Sequence, residues 1–213
     1  MAMASAPPSP WLASRRRVLG TAAAATLAGS AWAAEPAGSS PANGDAGKAQ
    51  APKGRPALPA ELAEQLPEAQ LLGSAKLRFW GLDIYQARLW AGPDFQAAAY
   101  ARQPFALELL YFRALRGQLI AERSLKEMRR QASLGQAQEQ AWLAAMVQAF
   151  PDVRAGDRIT GLYRPRAATR FWYNGQSRPG VADADFGPLF FGIWLSEASS
   201  EPAMRASLLG QAP

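Results

Sequence analysis

The sequence predicts an α+β domain in which an antiparallel β-sheet carries helices packed on one face. The elements come in blocks along the chain: first strands, then helices, then strands and helices again. The strand-like runs are short and rich in aromatic and branched residues, whereas the helical segments place apolar residues three and four positions apart. This block order is typical of α+β domains, whose helices are segregated from the strands.

Three strands make up the first block. Leu71 to Trp80 and Leu82 to Ala91 are two aromatic and branched runs that are joined tightly at Gly81. Phe105 to Ala114 alternates well enough to be a third strand. The sequence therefore predicts a hairpin followed by one more strand.

Two helices follow. Gly117 to Gln131 carries apolar residues at helical spacing among charged residues, and Gln138 to Phe150 is stopped by Pro151, which cannot continue a helix. The apolar side of the second helix is predicted to hold Trp142, Leu143, Met146, Val147 and Phe150.

The second half of the chain repeats the order. Asp157 to Arg164 and Thr169 to Asn174 are two further strands, and Asn174-Gly175 is a strong turn signal. Gly187 to Leu195 is apolar nearly all round, which predicts a buried helix. A last helix begins near Pro202, since proline is favoured in a first helical turn.

The N-terminus has the pattern of an export signal. Ser14-Arg15-Arg16-Arg17 precedes an Ala-rich apolar stretch, which ends in the small-x-small cleavage pattern Ala31-Trp32-Ala33. Residues 1–33 are therefore predicted to be a signal peptide of the twin-arginine type, cleaved near Ala33, and the mature protein is expected in the periplasm without a stable membrane span. The alternative is an ordinary secretory signal with three arginines before its apolar stretch.

Residues 34–67 are predicted to be a disordered linker. Up to residue 57 they are mostly proline, alanine, glycine and serine, with few apolar anchors. Residues 58–69 offer one or two helical turns before the domain. Residues 68–213 are the predicted domain, a normal size for one core.

Composition excludes several classes of protein. Outside the predicted signal peptide, which holds three arginines and no acidic residue, 20 of the 23 basic residues remain against 17 acidic ones, a net charge of +3. This small excess is not the charge pattern of a nucleic-acid-binding protein. There is no cysteine and no histidine, so disulfides, Ser-His-Asp or Cys-His catalysis and His-ligated metals are impossible. Haem would need a Tyr or Met ligand, and no cofactor is expected.

A series of local patterns resembles one family. Gly156-Asp157, two strands, the Asn174-Gly175 turn, an aromatic helix and the ending Pro202-x-x-Arg205-x-x-Leu208-Leu209 follow in fixed order. This order resembles the C-terminal half of the bacterial exported chalcone isomerase-like proteins. Leu72 to Lys76 and Ile84 to Trp90 are similar to the family's first two strands, so the resemblance spans about residues 71–210. It implies an open-faced β-sandwich, a fold that has hosted both an isomerase and ligand carriers.

The resemblance does not carry over the isomerase site. Plant enzymes of this fold use an Arg in a Gly-x-Gly-x-Arg segment to hold a substrate phenolate, and here the run is Gly73-x-Ala75-x-Leu77, with Arg78 one residue later. A one-residue offset turns a strand side chain to the opposite face, although a β-bulge would restore Arg78. Tyr85 stands where those enzymes have a catalytic Thr, and fatty-acid-binding relatives also have Tyr there.

The candidate ligand-binding residues are Arg78, Tyr85, Tyr111 and Arg113. A free phenol has a pKa near ~10, so it would need a cationic neighbour to act as a base near neutrality. Either arginine would supply that charge or would hold a carboxylate in a bidentate manner. The alternative reading is that these tyrosines, with Tyr163 and Tyr173, are core aromatics whose hydroxyls lie on a rim.

The aromatic residues in the last third of the chain also have two readings. They either line an apolar cleft between sheet and helices or simply fill the core that a cysteine-free domain needs. The residues concerned are Trp142, Phe171, Trp172, Phe190, Phe191 and Trp194.

Three functions remain open. The first is non-catalytic binding of a hydrophobic small molecule, neutral or anionic, such as a fatty acid in a cleft between sheet and helices. The second is an intramolecular lyase of the chalcone isomerase type. The third is a partner-binding protein of the cell envelope, which an exposed apolar patch would favour. Nucleic acid is not an expected partner.

Overall fold

The structure is a computed structural model, and it describes residues 56–211. The predicted signal peptide and the predicted linker up to residue 55 lie outside these residues. Among the helices in the described range, none has the length and apolar character needed to cross a bilayer.

Six antiparallel strands form one sheet in the order of the chain, each strand beside the next. The strands are β1 Gln70–Phe79, β2 Leu82–Ala91, β3 Phe105–Tyr111, β4 Arg158–Tyr163, β5 Thr169–Tyr173 and β6 Gln176–Val181. In such a meander each strand is connected to its neighbour in the sheet. The long helical connection lies between β3 and β4.

Helices cover one face of the sheet and bury the main core there. Alternate side chains of β2 and β3, such as Leu89 and Leu107, face this layer together with Phe191 and Trp194. The helices on this face are α2 Gly117–Met128, α3 Gln136–Ala149, α4 Phe186–Leu195 and α5 Pro202–Leu208, with a 3-10 segment at Ala97–Arg102, whereas α1 Ala60–Ala63 lies on the other face. The α+β class with an antiparallel sheet is therefore confirmed.

The predicted strands and helices agree with the structure to within a few residues, with two omissions and one misplaced side chain. The sequence predicted neither the 3-10 segment nor β6. Pro179 lies within β6 and cannot donate to a sheet, which weakens the strand pattern there. β6 is an edge strand that pairs only with β5, and such a position tolerates proline. Val147, predicted on the apolar side of α3, is 42% exposed.

The second face of the sheet carries a smaller apolar cluster. Leu62 and Leu66, four positions apart, pack there with Trp90 and Trp172. The segment before residue 68, where the sequence offered one or two helical turns, therefore packs against the sheet. Trp172, expected to line a cleft or fill the main core, lies on this opposite face.

A buried network of opposite charges holds α1 to the same face. Glu108 is 3% exposed and accepts hydrogen bonds from Nε1 of Trp90 at 2.9 Å and from Nη1 of Arg88 at 3.3 Å. Arg158 lies 3.8 Å from this carboxylate and donates to both carboxylate oxygens of Glu61 at 2.9 Å. The ion pairs thus connect β2, β3 and β4 to the N-terminal helix.

Helix α5 lies directly against β1 at Gly73. A Cβ atom at this position would lie 2.2 Å from the carbonyl oxygen of Ser207 and 2.4 Å from that of Leu208. No side chain fits within such a distance, so only glycine allows the two backbones to approach this closely.

Candidate functional site

Two tyrosines lie side by side on the helix-covered face of the sheet. Tyr85 of β2 and Tyr111 of β3 are partners in the antiparallel register, and Leu77 of β1 is the partner of Tyr85 on its other side. The two phenol rings meet edge to face, with centroids 5.9 Å apart and an interplanar angle of 66°. Side chains of paired residues point to the same face, so the row of three strands presents Leu77, Tyr85 and Tyr111 together.

Helix α4 fixes the hydroxyl of Tyr85. Nε1 of Trp194 donates a hydrogen bond to this oxygen at 3.0 Å, and Trp194 is 6% exposed. The Tyr85 proton itself has no acceptor among the described residues, and the hydroxyl of Tyr111, a residue only 2% exposed, makes no hydrogen bond there. The partly buried Tyr85 and the buried Tyr111 therefore each keep an O–H that is free to donate.

Burial keeps both phenols neutral. Loss of hydration raises the pKa of Tyr85 to about 12, against a smaller lowering by the hydrogen bond from Trp194. Burial also raises the pKa of Tyr111, and the neighbouring Tyr85 adds to the rise. A phenol with a raised pKa stays protonated near neutrality, so this pair is suited to donating hydrogen bonds and unsuited to abstracting protons.

Three charges act on Tyr85, one from Glu201 just before α5 and two from Arg123 and Glu127 of α2. Arg123 lowers the pKa of Tyr85, whereas Glu127 and Glu201 raise it, all more weakly than burial does. Nη2 of Arg123 lies 2.7 Å from Oε1 of Glu127, whose side chain is 7% exposed. The apolar spacing of α2 predicted its packed side but carried no information on which arginine would lie near Tyr85.

Arg78 does not join the tyrosines. The register does shift between Leu77 and Arg78, so the bulge that would have restored this arginine is present. The side chain is nevertheless 67% exposed, and its Nε donates to Oδ1 of Asp83 at 2.7 Å. Lys76 binds the same carboxylate at 2.9 Å, and both cations hold the pKa of Asp83 below its usual value. Leu77 occupies the place beside Tyr85.

Arg113 also lies apart from the pair. It follows the end of β3 and is exposed. Of the four candidate residues, the structure therefore brings Tyr85 and Tyr111 together and leaves the two arginines outside. Trp194, considered in the sequence only as a cleft or core aromatic, is the residue that completes the group.

The remaining phenols and aromatic rings have structural contacts. Tyr163 donates to the carbonyl oxygen of Ala101 at 2.7 Å, and Tyr173 donates to Oδ2 of Asp157 at 2.9 Å. Most of the aromatic residues considered for a cleft pack edge to face in the main core, among them Phe171, Phe190 and Phe191. Within residues 56–211, no group of three or more carboxylates is placed to hold a metal ion.

Comparisons with known proteins agree with this architecture. The sequence model described as chalcone isomerase-like matches residues 65–210. The fold is similar to the crystal structure of a fatty-acid binding protein from Arabidopsis thaliana, with a TM-score of 0.52 and 12% sequence identity over 67% of this chain and 87% of that chain. At this identity the likeness shows the fold alone. No curated protein is significantly similar to the chain in sequence.

Proposed function

This chain belongs to the chalcone isomerase-like family, and from that premise we propose that it binds a hydrophobic, anionic small molecule such as a fatty acid between the sheet and the helices, without catalysing a reaction. The observation that carries the proposal is the pair of neutral phenols at Tyr85, which is partly buried, and Tyr111, which is buried. Their free O–H groups are suited to a ligand that brings acceptors of its own.

A carboxylate supplies the acceptors that the pair lacks. It accepts up to four hydrogen bonds, and bonds to an ionised acceptor are stronger than those between neutral groups. Arg123, whose charge acts on Tyr85, adds a cation on the helix side. A head group held there would face two phenols and a guanidinium that is already paired with Glu127.

An apolar ligand chain has suitable surroundings next to this head-group position. Leu77 of β1, Ile120 of α2 and Ile193 of α4 are partly buried side chains that pack against the main core. β1 pairs with the strand of Tyr85, α2 carries Arg123 and α4 carries Trp194. The three side chains therefore lie on the elements that surround the Tyr85 hydroxyl. Burial of an alkyl chain among such side chains is favourable by about 0.8 kcal/mol for each CH₂ group.

The isomerase alternative has less support. Ring closure of that kind needs a cation for the substrate phenolate, and Arg78 is engaged by Asp83 at the surface. Tyr85, with its pKa raised to about 12, is a poor base near neutrality. The family's fatty-acid-binding structural neighbour instead accords with binding.

The proposed site of action is the periplasm. This part of the proposal is based on the twin-arginine pattern at Arg15-Arg16 and the cleavage pattern that ends at Ala33. Changing both arginines to lysine is expected to retain the protein in the cytoplasm, because the twin-arginine translocase reads the pair itself. Unaltered delivery of the double-lysine protein would favour the ordinary secretory route.

Native mass spectrometry of protein purified from its own host tests the binding function first. A co-purifying fatty acid is expected, and titration with that acid and with its methyl ester should show a clear preference for the free acid. Equal affinity for the ester would remove the carboxylate from the proposal. Turnover of a chalcone at a rate well above that of a buffer control would favour the isomerase instead.

A further inference from the structure

The turn between β1 and β2 exposes a group of large apolar side chains, here called the hairpin tip and comprising residues 79–82. Trp80 is 75% exposed, Leu82 is 42% exposed and Phe79 is 37% exposed. The rings of Phe79 and Trp80 stack with centroids 5.5 Å apart and planes 8° from parallel. Among the tryptophans that the structure describes, this is the only one that is not buried.

The backbone of the turn does not call for tryptophan. Trp80 has a φ of 49° and Gly81 a φ of 76°, so two left-handed residues follow each other as in a type I′ hairpin turn. Asn174 and Gly175 make the same kind of turn between β5 and β6, with φ values of 49° and 82°. Asparagine is favoured at the first position of such turns, whereas a bulky side chain there is strained. Folding alone therefore does not explain Trp80.

Positive charge surrounds the hairpin tip. The segments after β3 and before β4 lie at the same end of the sheet as this turn, because Tyr111 pairs with Tyr85 near the start of β2. Three aspartates lie at this end: Asp83 is paired with two cations, Asp152 accepts from the backbone N–H of Gly117, and Asp157 accepts from that of Arg154. Among the exposed cations there, Lys76 and Arg78 are paired with Asp83, whereas Arg113, Arg116 and Arg154 have no carboxylate partner among the described residues.

We propose that the hairpin tip inserts into the head-group region of an anionic lipid bilayer, with the surrounding cations against the lipid phosphates. Tryptophan is enriched at membrane interfaces, and basic residues beside an apolar anchor add attraction to anionic lipids. Three side chains on one turn are too few for a stable protein interface, which buries about 800 Å² on each partner. A bilayer requires no such matching surface.

This proposal is independent of ligand binding, although the two fit together. Tyr85 lies three residues after Leu82, at the start of the strand that leaves the hairpin tip. A protein docked by this turn would hold its candidate site close to the lipid surface. The test below uses no fatty-acid ligand, so its failure and the failure of the proposed function are distinguishable.

The absence of cysteine from the chain allows a clean labelling experiment. Leu82→Cys and Val147→Cys are matched sites, since each native side chain is 42% exposed and Val147 lies on α3 beside the opposite edge of the sheet. Each full-length variant is labelled with nitrobenzoxadiazole and mixed with phosphatidylglycerol-containing or pure phosphatidylcholine vesicles. The label at position 82 is expected to brighten, shift to the blue and be quenched by spin-labelled lipid on anionic vesicles only, and the label at position 147 is expected to stay unchanged.

Two further variants separate the apolar and the charged contributions. Trp80→Asn keeps a favoured turn, so it should fold, and it is expected to weaken binding to anionic vesicles by about tenfold through the loss of the aromatic anchor. Arg113→Gln is expected to weaken binding to anionic vesicles roughly fivefold, because one cation near the anionic surface is lost. Added salt should weaken wild-type binding in the same direction.

Several results would overturn the proposal. An unchanged label at position 82, or equal responses at positions 82 and 147, would exclude insertion by the hairpin tip. So would vesicle binding that Trp80→Asn leaves intact. Sedimentation analysis showing a dimer that Trp80→Asn dissociates would instead assign the hairpin tip to a second copy of the chain.

Discussion

Nε1 of Trp194 lies 3.0 Å from the hydroxyl oxygen of Tyr85 and joins α4 to β2 across 109 positions of sequence. The bond uses an oxygen lone pair of the phenol and leaves its proton free. The hydrogen bond therefore fixes the orientation of the Tyr85 hydroxyl and leaves its proton available for another acceptor. In the proposed function, this oriented O–H meets the ligand.

Trp194→Phe should destabilise the fold and misalign Tyr85. The loss of one largely buried hydrogen bond is expected to lower the free energy of unfolding by about 0.5–1.5 kcal/mol. Denaturant unfolding measures the change, with the same substitution repeated in a Tyr85→Phe background. The part due to the hydrogen bond should disappear in that background, and an equal loss in both would mean that ring packing alone is responsible.

Stability should fall in alkaline solution because of Tyr85. Its pKa is about 12 in the folded chain and about 10 in the unfolded chain. Between these values the unfolded chain loses a proton that the folded chain keeps, so the free energy of unfolding decreases as the pH rises, and the contribution is fully present below about pH 10. By about pH 11 the loss due to this group should be about 1.4 kcal/mol.

Unfolding of the wild type and of Tyr85→Phe at about pH 8 and about pH 11 checks this dependence. The variant should lose less stability than the wild type over the interval. Parallel losses in both proteins would show that Tyr85 titrates normally in the folded state.

Gly73→Ala tests the close contact between β1 and α5. The new methyl group would meet the carbonyl oxygen of Ser207, so α5 must move, at a cost of about 1–3 kcal/mol in the free energy of unfolding. Gly92→Ala is the matched control, because a Cβ atom there has no neighbour within 4 Å. Thermal or denaturant melts that show equal stability for the two variants would contradict the close packing.

Glu108→Gln should be strongly destabilising, because it leaves Arg88 and Arg158 without the carboxylate that lies between them. Removing one partner from a buried ion pair costs about 3 kcal/mol or more. Glu122→Gln, on the exposed side of α2, serves as the control and should leave the melt nearly unchanged. If both variants melt alike, the network on the second face contributes little to stability.

Local sequence patterns were sufficient for most of the fold. Strand alternation, the tight turn at Gly81 and the apolar run of α4 depend on neighbouring residues, so the sequence shows them directly. β6 was missed because its proline is tolerated only at a sheet edge, and edge position is a property of the whole sheet. The packing of Leu62 against the second face was missed for a similar reason, since one short apolar turn does not reveal which surface it covers.

The candidate site was only partly predictable. Tyr85 and Tyr111 were identified from sequence, and hairpin register brings them together. The choice of Arg78 depended on strand alternation, but Asp83 binds this arginine at the surface. The hydrogen bond from Trp194 and the charge of Arg123 act on Tyr85 from elements distant in sequence, which periodicity within one element does not encode.

Calorimetric titration with a long-chain fatty acid tests most directly the claim that Tyr85 and Tyr111 bind the ligand. The wild type should bind, and the double variant Tyr85→Phe with Tyr111→Phe should bind at least tenfold more weakly, about 1.4 kcal/mol or more, because two hydrogen bonds to the carboxylate are lost. Tyr173→Phe, whose hydroxyl binds Asp157, and Arg78→Ala, whose partner is Asp83, should bind like the wild type. Affinity that is unchanged in the double variant, or reduced most by Arg78→Ala, would contradict the account.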